Sequence, residues 1–88
     1  MSEIEKQLLE NLLDALDRLF DSESSAVDIH SLLYASSSFN GGAIRSLKLD
    51  QYIASLGVLI RNSESAEDQR NEALSITNNL RIEVNELL

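Results

Sequence analysis

The stretch SEIEKQLLENLLDALDRLFD, residues 2–21, decides the fold class. Ile4, Leu8, Leu9, Leu12, Leu13, Leu16, Leu19 and Phe20 recur in it at spacings of three and four, the period of a helix rather than a strand. A stripe this broad must be covered by other elements. Ser2 and Glu5 precede it three residues apart, the spacing of a capping box in which each side chain satisfies an amide left open by the first turn. The pattern predicts a helix over residues 3–20.

Downstream the same period returns three times. After the polar break Asp21-Ser22-Glu23-Ser24-Ser25, Ala26, Ile29, Leu32, Leu33 and Phe39 predict a second helix over residues 25–38, with Asp28 in its first turn, where the helix dipole favours an anion. Ser36-Ser37-Ser38 weakens its end, because serine hydroxyls compete for backbone partners, and Asn40-Gly41-Gly42 stops it. Leu49, Tyr52, Ile53, Leu56, Leu59 and Ile60 predict a third helix over 46–61. Val58-Leu59-Ile60 has strand propensity, but its surroundings keep helical spacing. Gly57 inside this helix costs up to about 1 kcal/mol relative to alanine, a cost that a close helix–helix crossing would explain. Ala73, Thr77, Leu80, Val84 and Leu87 predict a fourth helix over 65–87, opened by Glu64, Glu67 and Asp68. Short polar breaks between amphipathic helices imply an all-α fold, an antiparallel four-helix bundle forming one domain over residues 1–88. Leu12, Leu16, Leu33, Leu56 and Leu80 are its expected core.

Composition narrows the function. The 88 residues hold 15 acids and 7 bases, a formal net charge of −8, and no cysteine or proline. Without cysteine there is neither a disulfide nor a thiolate metal site. No basic n-region leads into an apolar run, and no stretch is long enough to span a bilayer, so the expected location is cytoplasmic. The acids concentrate at the two ends. Residues 1–28 carry eight acids and two bases, 29–62 one acid and three bases, and 63–88 six acids and two bases. Such a surface repels phosphate backbones and anionic lipid, which argues against nucleic acid and membrane as partners and for a basic protein.

Catalytic patterns are missing. His30 has only Asp28 nearby, and residues two apart on a helix do not face one another. Most of the thirteen serines sit in caps and breaks, and none lies in a Gly-x-Ser-x-Gly elbow. Asn40-Gly41-Gly42-Ala43 lacks the lysine of a phosphate loop, and no calcium-loop spacing occurs among the acids. The expectation is a non-enzymatic protein with no cofactor and no metal.

The candidate binding residues lie on the first helix. At about 100° per residue, Glu10, Asp14, Asp17 and Asp21, with Glu3, fall within a sector of about 60° opposite the leucines. Like charges at spacings of three and four repel, and a face serving solubility alone more often mixes signs. This ridge is the expected contact for a basic partner. Glu64, Glu67, Asp68 and Glu72 form a second acidic patch, for which the dipole of the last helix already accounts in part. Around the glycine turn, Tyr34, Phe39, Arg45 and Tyr52 read either as packing groups or as interface residues.

The serine-capped acidic first helix, the Phe39-Asn40-Gly41-Gly42 turn and the closing helix from Arg70 to Leu88 together resemble, in size, helicity and acidity, the small immunity proteins that neutralise bacterial toxins of the colicin and contact-dependent-inhibition types. The Asp-x-x-Tyr-Tyr-Pro element of the colicin DNase subgroup does not occur. The resemblance implies tight binding to a basic nuclease toxin, blocking its active site or its route to substrate. An adaptor or chaperone-like protein, or a homo-oligomeric accessory protein such as a homodimer, fits the same residues.

Overall fold

The computed structural model describes residues 2–63 and 65–88. Five helices follow one another: α1 Glu3–Phe20, α2 Ala26–Ser37, α3 Gly42–Ser46, α4 Leu49–Asn62 and α5 Ala66–Leu87. No strand occurs among the described residues, Val58-Leu59-Ile60 included, so the fold is all-α. The four long helices pack as a ring in which α1 touches α2 and α5, and α4 touches the same two. The α2–α4 contact is the most extensive. Glu64, expected among the opening acids of the last helix, lies outside the described residues.

Caps set most of the boundaries. Ser25 and Asp28 form a reciprocal capping box at α2, and Ser65 accepts from the Asp68 amide at 3.1 Å to start α5. At the end of α1, Glu23 N–H bonds Arg18 C=O at 2.8 Å and Ser22 N–H bonds Leu19 C=O at 3.2 Å. This is a Schellman closure with Ser22 at φ 65 in the left-handed position that glycine usually takes. The core is continuous, and Leu12, Leu16, Leu33, Leu56 and Leu80, expected inside, are all at most 2% exposed. In α5 the buried face is Ala73, Thr77, Leu80 and Val84. Ser36 extends the α2 face Ala26, Ile29, Leu33 inward, and its hydroxyl finds no partner among the described residues.

Three expectations are corrected. The single third helix over 46–61 is two helices. Gly42–Ser46 forms its own turn-and-a-half, and Lys48, at φ 53 in the left-handed region, redirects the chain into α4 at Leu49. The helix count is therefore five, and Gly42 begins a helix rather than only ending one. Second, the α1 stripe is narrower than the apolar residues suggest. Ile4 is 65% and Phe20 59% exposed. The buried face is Glu5, Leu9, Leu12, Leu16 and Leu19, all within about 80°, and Ile4 sits about 100° from its centre.

Third, Glu5 does not complete a capping box. Ser2 Oγ accepts from the Glu5 amide at 3.1 Å, but the Glu5 side chain is buried. Its Oε2 accepts from Ile44 N–H at 3.4 Å, on the third residue of α3. The N-cap of α3 is Gly41, which has no side chain to offer, so a carboxylate from α1 supplies the missing acceptor. Gly41 also makes room for that carboxylate. A Cβ there would overlap Glu5 and lie 2.7 Å from Phe39 Cε1.

Gly57 is different. A Cβ there would meet His30 Nε2 at 3.5 Å across the α2–α4 contact, an ordinary van der Waals distance. The crossing does not require glycine. Gly57→Ala is therefore expected to hold or raise stability by up to about 1 kcal/mol, whereas Leu56→Ala beside it should lose about 2–5 kcal/mol. Urea unfolding of the two variants checks the contrast.

For the Glu5 cap, Gly41→Ala should destabilise by about 1–3 kcal/mol through overpacking, and Glu5→Ala by about 1 kcal/mol through loss of the cap. The double variant should be less unstable than the sum, because Glu5→Ala removes one of the two groups in the way. Additive losses in a chemical-denaturation cycle would show that the two sites do not touch.

Candidate functional site

The acidic ridge follows from the same geometry that buries the leucines. Its centre lies about 160° around α1 from the buried face, so its residues point outward. Glu10, Asp14 and Asp21 are exposed and Asp17 is half-buried. The four are not equivalent. Asp14 Oδ2 is 3.2 Å from Arg18 Nε one turn later, in an exposed i,i+4 pair. Asp17, on the edge nearest α5, takes Arg81 Nη2 at 2.7 Å and Nε at 2.9 Å, both on Oδ1. Glu10 and Asp21 form no ion pair among the described residues.

Arg81 is the residue that sequence reasoning missed. It stands 64 positions from Asp17, and no local spacing signals a contact over that distance. Its guanidinium also lies over the Phe20 ring, 5.8 Å from the centroid. One helical stretch earlier, Arg70 Nε bonds Leu19 C=O at 3.1 Å and Nη2 bonds Phe20 C=O at 2.6 Å. Two arginines of α5 thus hold the C-terminal turn of α1, where carbonyls lack intrahelical partners and the dipole favours cations. A weaker signal was present in the apolar pattern. Phe20 lies about 60° from the centre of the buried face, and Ile82 falls outside the Ala73-Thr77-Leu80-Val84 register. Both are large, apolar and about half exposed or more, at 59% and 49%, and both flank the α1–α5 seam.

Packing turns the uneven charge of the chain into a spatial one. α1 and α5 carry ten carboxylates against four basic side chains, and the ring places them side by side. The other neighbouring pair, α2 and α4, has two carboxylates and one basic side chain.

The remaining candidates are scattered. Asp68 and Glu72 of the second acidic patch border a groove of about 540 Å³ between α4 and α5, floored by Val58, Leu59 and Ile76. Tyr34 is 69% exposed, while Phe39 and Tyr52 pack partly against the core, and Arg45 bonds Asn40 beside the glycine turn. The structure does not gather these groups into one surface with the ridge. His30 faces Gly57, and no group of three or more His, Cys, Asp or Glu side chains is placed to hold a metal ion among the described residues. No described helix is long and apolar enough to cross a membrane. Compared with protein-family models, curated proteins and solved structures, the chain matches none.

Tyr52 is shifted by its environment. Burial, and then the charge of Glu83 on α5, hold its hydroxyl above the ordinary tyrosine value. A folded value above the unfolded one means that this contribution to stability is complete below about pH 10 and is lost as pH rises through the folded value. With Tyr34→Phe leaving Tyr52 as the sole tyrosine, tyrosinate absorbance should titrate with a midpoint above about 10. Glu83→Gln should lower that midpoint without restoring it fully, since burial is the larger cause. A midpoint unmoved by Glu83→Gln would show that the two do not interact.

Proposed function

We propose that this protein is a non-catalytic inhibitor of the immunity type, which binds a basic bacterial nuclease toxin through the α1 ridge Glu10, Asp14, Asp17 and Asp21. The proposed scaffold is an antiparallel four-helix bundle to which α3 is an added turn, acting in the bacterial cytoplasm without a cofactor. What carries the reading is the ridge itself: Glu10, Asp14 and Asp21 are exposed along one side of α1 with Asp17 at its edge, so their charges sum into one field.

A nuclease cleft is positively charged because it must hold phosphates. Carboxylates on a rigid helix occupy the places of those phosphates and exclude the nucleic acid, with no bond made or broken. The field steers encounter and raises the association rate, while the closest contacts determine residence time. An adaptor or chaperone-like role would use the same ridge, and an assay of toxin activity separates it from inhibition. A homodimer through this face would set acidic helices against each other.

Affinity purification from the native host with mass spectrometry should recover a basic partner, and loss of its nuclease activity on mixing tests inhibition. Replacing all four ridge acids with asparagine or glutamine should slow association at low salt by about tenfold or more and flatten its salt dependence. Single changes should matter most at Glu10 and Asp21, which form no ion pair among the described residues. The fold should stay within about 1 kcal/mol of the parent, since the two ion pairs lost are exposed. Association of the quadruple variant at the parent rate in low salt would leave the ridge a solvated face only.

A further inference from the structure

The seam between α1 and α5 shows what it accepts, because one of the protein's own side chains fills it. Two open cavities of about 350 and 340 Å³ lie along the seam and share Asn78 and Arg81. Leu13, Leu74 and Ile82 line them with Phe20, and Asp17 stands on the ridge side. Between the two, the Arg81 guanidinium is held by the Asp17 carboxylate and lies over the Phe20 ring. A carboxylate and an aromatic face around one planar cation form an arginine receptor, here occupied from within.

We infer that this seam is the docking groove for an amphipathic basic helix of the partner, and that Arg81 holds the place of a partner arginine until the partner displaces it. The inference rests on the basic-partner reading above and names its contact centre. The groove runs from Leu74 to Asn85, about 16 Å along α5, or three turns of a docked helix. That length suits apolar anchors at i, i+3 or i+4 and i+7. Charge selects the occupant. On the α1 side the rim is Asp17 and the acidic ridge beyond it, and on the α5 side it is the neutral Asn78 and Asn85, so the docked face must be apolar at its centre and basic along the edge that meets α1. A second copy of this chain would bring carboxylates to carboxylates. Arg81 costs the partner one internal ion pair, which makes entry conditional on an arginine or lysine able to replace it.

The test uses the full chain, labelled with nitrogen-15, and a synthetic peptide of about 18 residues, long enough to be helical when bound. The peptide carries leucines at the anchor spacing with arginines flanking them, and a scrambled peptide of identical composition has no apolar face. The ordered peptide should perturb the amides of Leu13, Asp17, Phe20, Leu74 and Ile82 and bind at least about tenfold more tightly than the scrambled one. Phe20→Ser and Ile82→Ser, each checked for unchanged circular dichroism, should each weaken it about fivefold or more. Arg81→Gln, which keeps most of the stem but not the charge, should strengthen it about two- to fivefold, the worth of one exposed ion pair. Equal binding of both peptides, with perturbations confined to the ridge crest at Glu10, Asp14 and Asp21, would overturn the groove and leave the ridge reading standing. Perturbation centred on Val58 and Ile76 would move the site to the α4–α5 groove and overturn it as well. Weaker binding by Arg81→Gln would show Arg81 to be part of the receptor and not its occupant. No binding of either peptide at low salt would defeat both the groove and the ridge. Sedimentation showing a dimer that Phe20→Ser dissociates would make the occupant a second copy and overturn the inference.

Discussion

A carboxylate on the buried face of a helix must find a donor, and for Glu5 that donor is the amide of Ile44. Leaving such a group unsatisfied inside a small core is costly. The bond is long at 3.4 Å, so its strength is modest, but it ties the start of α3 to α1. Gly41 must then lack a side chain, Phe39 must pack beside the carboxylate, and the helix from Gly42 must start at that point. With its first turn held by α1, the chain turns at Lys48 through a left-handed residue before α4 can lie along α2. A single acid at the open end of the leucine face thus meets the middle third of the fold where α3 begins, beside the buried Ile44, Leu47 and Leu49 that hold that segment in the core.

The long helices were legible from their apolar periods, and α1, α2 and α5 also have a serine cap, whereas α4 has none. Ser2, Ser25 and Ser65 accept first-turn amides of α1, α2 and α5, and the five leucines named as core are buried. Glu5 was legible too, in a different way from the one used. It continues the Leu9-Leu12-Leu16-Leu19 series at a spacing of four, the register of a buried residue, but an acid three places after a serine reads first as a cap. The break at Lys48 has no such signal. Left-handed backbone at a lysine is set by tertiary packing, and nothing in Ser46-Leu47-Lys48-Leu49 announces it. The ridge was visible in the sequence because it is local to one helix. Arg70 and Arg81 were not, because a contact between residues fifty or more positions apart depends on which helices become neighbours.

Those two arginines change how the ridge should be understood. Read from α1 alone, four acids at spacings of four, three and four repel one another along their whole length. In the folded chain Arg18 and Arg81 neutralise the two middle members. Glu10 and Asp21 remain, eleven residues and about 16 Å apart along the helix. At physiological salt the Debye length is about 8 Å, so their mutual repulsion is largely screened. The ridge therefore strains the fold less than its composition suggests.

A partner at contact distance meets the charges in a different order. It lies within a screening length of each carboxylate it covers, so Glu10 and Asp21 act on it even though they scarcely act on each other. Excluding water from the interface lowers the local dielectric and strengthens whatever pairs it makes. Asp14 and Asp17 join only if the partner displaces the arginine already there, which exchanges one exposed ion pair for another and adds little net affinity. On the proposed reading, affinity would then come chiefly from the apolar seam, where Phe20 and Ile82 are left about half exposed beside the core. On the proposed binding reading, the free acids would set which partners approach, the internal arginines would keep the remaining acids from costing stability, and the apolar area buried on docking would decide how long a partner stays.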